Sequence, residues 1–179
     1  MKMKLQSLIK PAFILWISCA FSVATAQSDS YEEKAKRILN ATGVKGGLIV
    51  HIGCGNGKLT AALRAGDGYL VHGLDRNIKN IKQARTYINS CGCYGEVSVD
   101  FFDGQRLPYT NNLVNLVVAE DIGEVPMAEV IRVLRPKGVA YIKRKGRWTK
   151  TVKSWPDEID GWTHYLYDAT NNPVADDSE

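Results

Sequence analysis

Residues 48–57 read Leu-Ile-Val-His-Ile-Gly-Cys-Gly-Asn-Gly, and no other stretch constrains the chain as tightly. An apolar, β-branched run, broken only by His51, empties into a turn with glycine at 53, 55 and 57. Lys58-Leu59-Thr60-Ala61-Ala62-Leu63 then begins a helix. In an open α/β sheet such a strand-turn-helix corner is where a nucleotide-like ligand meets backbone amides, because side chains have been cleared from its path. The spacing separates the possible loops. A dinucleotide fingerprint needs Gly-x-Gly-x-x-Gly, but the third glycine arrives one residue early, at Gly57. A P-loop needs Gly-x-x-x-x-Gly-Lys-Ser/Thr, but Gly53 is one residue too close and Leu59 stands where a magnesium-binding hydroxyl belongs. The plainer alternative is that the glycines merely turn the chain, with Cys54 present only because it is small.

The rest of the pattern alternates helix and strand. Ser30-Tyr31-Glu32-Glu33 has the form of a capping box, which predicts a helix running to about Leu39 and stopping near Gly43. Tyr69 to Leu74 reads as a second strand ending on Asp75. Ile78, Ile81, Arg85 and Ile88 mark one face of a helix from Asn77 to Ser90. Val97–Asp100 and Leu113–Val118 are further strands. Pro126 opens a helix through Leu134, and Arg135-Pro136-Lys137-Gly138 turns the chain into a fifth strand, Val139–Ile142. This order predicts an α/β fold: a Rossmann-like parallel sheet of five strands with helices on both faces. Beyond Lys143 the periodicity fails, so residues 147–179 are expected to be an aromatic and polar tail that packs only locally.

Carboxylates fall at the strand ends where a ligand on the turn would need them. Asp75 ends the second strand, where it can accept from two ribose hydroxyls or simply cap the next helix. Asp103-Gly104 follows the third, placed to accept an adenine amino group beside Phe102, or to make an ordinary Asp-Gly turn. Glu120 and Asp121 follow the fourth; either is a candidate base, or a helix cap.

Composition excludes more than it assigns. Of 23 basic residues, Lys2, Lys4 and Lys10 lie in the acid-free first 26 residues, leaving 20 basic against 19 acidic residues. That balance gives no reason to invoke nucleic acid, and Lys143–Arg147 reads as a solvated surface run. Met1–Lys10 is a basic n-region, Pro11–Val23 an apolar core of 13 residues, and Ala24-Thr25-Ala26 a small-residue cleavage site. Thirteen residues are short of the roughly 20 that span a bilayer. The expectation is therefore a signal peptide over 1–26, cleavage after Ala26, export, and no stable membrane span thereafter. Trp16 argues against a lipoprotein site at Cys19. Cys54, Cys91 and Cys93 make no disulfide framework; Cys91-Gly92-Cys93 has the form of a metal-chelating or tight redox pair, but two thiols without a partner cluster favour the plainer reading of a turn.

Taken together, His51–Gly57, Leu74-Asp75, Asp103 with Leu107-Pro108-Tyr109, Asn115–Asp121 and Arg132–Val139 resemble successive motifs of the class I S-adenosylmethionine-dependent methyltransferases, the type 11-like domain. The resemblance covers roughly residues 31–145. It implies a domain over 27–146 that binds S-adenosyl-L-methionine through His51, Gly53, Cys54, Gly55, Gly57, Asp75, Arg76, Asp103, Gly104 and Glu120. It implies methyl transfer to a small acceptor that the sequence does not identify. Two departures stand out. The family's first motif opens on an acid that helps hold the cofactor's ammonium group, and here that position is His51. The family's sheet closes with a sixth and seventh strand, and the present pattern stops at five. Residues 155–175 resemble a segment of large exported bacterial proteins in which such a domain precedes a quinoprotein-type (PQQ-like) β-propeller, so association with a propeller domain is expected. In that architecture His164 is a candidate ligand; here a packing or surface role is the expectation.

Two readings therefore compete: a methyltransferase, and a non-catalytic methyltransferase-like module of an exported, truncated multidomain protein. A nicotinamide-dependent dehydrogenase is disfavoured by the glycine spacing and by the lack of a Tyr-Lys or His pair.

Overall fold

The structure, a computed structural model, describes residues 30–155. The signal-peptide and cleavage expectations (1–26), His164, and the propeller-like segment beyond Trp155 fall outside the described residues.

Within them the chain runs α1 (Tyr31–Thr42), β1 (Gly47–Ile52), α2 (Lys58–Ala62), β2 (Tyr69–Asp75), α3 (Ile78–Ser90), β3 (Val97–Phe101), β4 (Val114–Ala119), α4 (Met127–Val133), β5 (Leu134–Arg144) and β6 (Arg147–Val152). One six-stranded sheet results, in the order β3-β2-β1-β4-β5-β6. The first five strands pair in parallel, and β6 pairs antiparallel with β5. Chain direction across the sheet reverses between β1 and β4, which creates the crevice where open α/β sheets bind ligands.

Ser30 caps α1 as expected: its Oγ accepts from the Glu33 amide at 3.2 Å, and Gly43 terminates the helix with its amide on the Leu39 carbonyl. Strand alternation divides the core in two. Ile49, Val71, Val99, Leu116 and Val118 face α1, α2 and α3 through Ile38, Leu59, Ile81 and Ile88. Val50, Ile52, Leu74 and Val117 face α4 and the 102–109 segment through Val130, Val133, Phe102 and Leu107. On α3, Ile81 and Ile88 are buried as expected. Ile78 is exposed, and Arg85 instead reaches β3, where its Nε donates to the Val99 carbonyl at 2.9 Å.

The sheet corrects the five-strand expectation. Residues 147–152, read from sequence as the start of a locally packed tail, form β6, which pairs with β5 from Val139↔Val152 to Arg144↔Arg147. The sheet is therefore mixed and not wholly parallel. The expected Arg135–Gly138 turn survives inside a longer β5. Val114 pairs with Leu134 and Leu116 with Val139, so the turn bulges out of the ladder, and Lys137 takes φ 61° there.

Candidate functional site

The glycine turn is held from below by β2. Gly53 and Cys54 both donate their amides to the Leu74 carbonyl, at 2.8 and 3.2 Å. Asp75, the last residue of β2, is buried, and its Oδ2 accepts the Gly55 amide at 2.9 Å. Its Oδ1 accepts the Asn77 amide at 2.8 Å, and the Asn80 side chain donates to both oxygens at 3.1–3.2 Å. One carboxylate thus ties the turn, the β2 tip and the first turn of α3 together. The sequence offered ribose recognition or capping for Asp75; the N-cap of α3 is Asn77, whose side chain accepts the Lys79 amide, and Asp75 braces that residue while lining the cavity described next.

Gly57 is required for packing. It has φ 77°, and a Cβ there would lie 2.8 Å from Ala84 Cβ and 2.9 Å from Ala84 Cα, so its missing side chain lets α2 start directly against α3.

A cavity of about 240 Å³ opens along the carboxyl edge of the sheet. Gly53 and Ile52 from β1, Asp75 and Arg76 after β2, and Phe102 and Gly104 after β3 form one side of it. Asp121 to Glu124, after β4, form the other. Gly104 makes room for Arg76: a Cβ on it would stand 2.6 Å from Arg76 Nε. Four sequence-expected residues, Gly53, Asp75, Arg76 and Gly104, therefore line one cavity. Asp103 does not line it. Its Oδ1 accepts the Gln105 and Arg106 amides at 2.8 and 3.3 Å, and those bonds hold its carboxyl below the usual range. Ile122, Gly123 and Glu124 were not singled out from the sequence; the turn in which the Gly123 amide donates to Asp121 Oδ1 at 2.9 Å brings them over the site. Asp121, considered from sequence as a base, is engaged in that turn.

His51 lies under the glycine turn on the opposite face of β1. It is buried, and its Nδ1 is 2.8 Å from Thr60 Oγ1 of α2. Burial pushes the imidazole down to about 4, against a partial upward pull from the nearby Glu120 carboxylate. The group is consequently neutral near pH 7, and it supplies no negative charge. Glu120 does. It follows β4, pairs with Lys34 of α1, and lies 3.9 Å from Lys143 of β5. The Lys34 ammonium holds the Glu120 carboxyl below the usual range, which makes it a persistent anion and a weak base. Cys54 is buried, and desolvation pushes its thiol up to about 12, so it is inert as a nucleophile. Among the described residues no group of three or more His, Cys, Asp or Glu could hold a metal ion, and no helix is long and apolar enough to cross a membrane.

A family model described as a methyltransferase domain matches residues 49–138, half of the chain, from β1 through the β5 bulge. The chain belongs to the methyltransferase-domain family. Members depend on S-adenosylmethionine, which is thereby the implied cofactor. The methyltransferase GfsG of Streptomyces halstedii is 33% identical over 99 residues, covering 52% of this chain and 36% of that protein. The present chain thus spans about a third of that relative's length. Among solved structures, a candidate S-adenosyl-L-methionine-dependent methyltransferase of Methanococcus maripaludis superposes with TM-score 0.57 at 23% identity, covering 63% of this chain and 54% of that one. A SAM-dependent methyltransferase of Aquifex aeolicus gives 0.54 at 21%, covering 60% and 62%. Those two likenesses establish the α/β methyltransferase fold, which the strand order above already describes.

Proposed function

We propose that the chain binds S-adenosylmethionine across the carboxyl edge of its sheet and transfers the methyl group to a small acceptor. The observation that carries this reading is the buried Asp75 carboxylate beside Gly53 in a cavity at the β1/β4 crevice. The donor set fits the cofactor. Asp75 offers carboxylate oxygens to hydroxyl donors, Arg76 and Phe102 offer flat or apolar walls to a purine, and Gly53 leaves its side of the cavity open to a close approach. The 240 Å³ of the cavity lies below the roughly 300–1,000 Å³ of complete small-molecule sites, which suits the adenosyl part alone.

Charge is the remaining requirement. With His51 neutral, Glu120 is the carboxylate assigned to the cofactor's ammonium group, in place of the acid that opens the family's first motif. Gly53, Asp75, Arg76 and Glu120 would hold the cofactor, which would supply an electrophilic methyl group carried on a sulfonium. The protein's part is alignment of the acceptor, since no side chain among the described residues is set up as a strong base. Residue roles at Asp75, Arg76, Gly104 and Glu120 belong to this proposal. Calorimetric titration of the chain with S-adenosylhomocysteine tests it; saturable binding lost on Asp75→Ala supports the reading, and absence of heat at millimolar ligand contradicts it.

A second reading, a non-catalytic module, is favoured by the replacement of the acid at 51 and by the existing pair of Glu120 with Lys34, which occupies the carboxylate. Export behind residues 1–26 and association with a β-propeller domain beyond residue 155 belong to that reading. Its discriminating test is methyl transfer itself, which it forbids.

A further inference from the structure

The β5–β6 hairpin concentrates positive charge with no acid of its own. From 143 to 153 the chain carries six cations, Lys143, Arg144, Lys145, Arg147, Lys150 and Lys153, and neither Asp nor Glu. Three of the six are engaged within the domain. Lys143 lies 3.9 Å from Glu120, and Lys150 Nζ donates to the Ala41 and Thr42 carbonyls at 3.0 and 2.9 Å. Lys153 Nζ donates to Asn112 Oδ1 at 2.6 Å. Arg144, Lys145 and Arg147 are all exposed, and none of them pairs with a carboxylate among the described residues.

These three cations form the hairpin tip, where their placement works against the fold. Register sets Arg144 directly opposite Arg147, and like charges facing each other across a strand pair are destabilising. Lys145 adds a third charge between them, in a left-handed conformation with φ 48° that few residues other than glycine adopt. Lysines that deter unwanted strand pairing sit along an exposed edge; here the charge is gathered at the tip. Because Ala119 pairs with Ile142, the tip projects past the carboxyl edge of the sheet, beside Glu120.

The complementary charge is in the same chain, outside the described residues. Residues 156–179 contain seven acids and neither lysine nor arginine. Asp157, Glu158 and Asp160 come first, and the other four fall between Asp168 and Glu179. The near balance of charge beyond residue 26 therefore hides a segregation of basic hairpin from acidic segment. Reach permits the two to meet. β6 runs back from the tip over six residues, ~20 Å of strand. The 24 residues of 156–179 can span up to ~80 Å.

We propose that the cationic tip, Arg144 to Arg147, is the docking surface for the acidic segment 156–179 of the same chain. The contact offsets the repulsion between Arg144 and Arg147 and sets acidic residues at the edge where the candidate site opens. Neither cofactor binding nor methyl transfer is required for it.

The test is zero-length carbodiimide cross-linking of the full chain, which joins the Lys145 amine to a carboxylate held against it, followed by peptide mass mapping. Links from Lys145 to carboxylates of 156–179 are expected at low ionic strength. Their yield should fall severalfold at 1 M salt, where the Debye length is ~3 Å. The double variant Arg144→Gln, Arg147→Gln keeps Lys145 as reporter and is expected to lower the yield about threefold, since two of three tip charges are gone. An equimolar mixture of isotope-labelled and unlabelled chain separates links within a chain from links between copies. Links within one isotope that weaken in salt and in the double variant support the proposal. No Lys145 link to 156–179, a yield indifferent to salt or to the double variant, or links mainly between isotopes overturns it.

Discussion

The Asp75 carboxylate accepts the Gly55 amide at 2.9 Å across the glycine turn, and this bond fixes the turn relative to β2. The same carboxylate holds Asn77 and Asn80. Asp75→Ala removes all of these at a buried position, and charge-assisted bonds of this kind are worth ~1.5–3 kcal/mol where the donors cannot be rehydrated. Because the turn is partly solvated, a net loss of about 2 kcal/mol is expected, read as a lower denaturation midpoint in urea with an unchanged m-value. Asp75→Asn should lose less, since one oxygen remains to accept.

Protonation of His51 gives a pH signature. Its folded pKa of about 4 lies below the unfolded reference near 6.5, so at neutral pH neither state is protonated and nothing is lost. As pH falls below 6.5 the unfolded chain takes up a proton that the folded chain refuses, and stability declines until pH reaches about 4. The total is on the order of 3 kcal/mol. Unfolding free energy measured from pH 7 to pH 4.5 should therefore decline in the wild type and decline less steeply in His51→Gln, whose side chain does not titrate.

Glycines of the turn should separate by what surrounds them. A Cβ at Gly57 meets the Ala84 backbone, whereas one at Gly55 meets nothing within 4 Å; both residues have positive φ, 77° and 54°. Gly55→Ala is expected to cost ~1 kcal/mol from conformation alone, and Gly57→Ala at least ~2–3 kcal/mol as α2 is pushed off α3. Thermal melts of the two variants compare them directly.

Glu120 should matter to ligand affinity far more than to stability. Its pair with Lys34 is half exposed, and such pairs contribute ~0–1 kcal/mol. Glu120→Gln is expected to leave the melting temperature nearly unchanged and to weaken S-adenosylmethionine binding by about tenfold or more, the scale of a lost charge-assisted contact. Affinity unchanged in this variant would remove Glu120 from the site.

The parallel part of the sheet was legible because β1, β2 and β4 are buried runs punctuated by glycine, proline or acid. β6 was not. As an edge strand it alternates weakly, with Arg147, Thr149, Lys150 and Val152 partly or wholly in solvent, so hydrophobic periodicity carried no signal. A local signal did exist: Lys145 and Gly146 take φ 48° and 77° in a two-residue hairpin loop, the left-handed pair that favours strand reversal. The site divided in the same way. Gly53, Asp75, Arg76 and Gly104 sit at strand ends whose position follows from the strands. The Ile122–Glu124 wall depends on a loop conformation set by the Asp121 turn. The burial of His51 depends on Thr60 meeting it across α2, a contact that strand alternation within β1 does not reveal.

The most direct measurement is calorimetric titration of the full chain with S-adenosylhomocysteine, run beside Asp75→Asn and Glu120→Gln. The account predicts one saturable site in the wild type, weakened about tenfold or more in each variant while both remain folded. No binding at millimolar ligand, or equal binding in all three proteins, would contradict it.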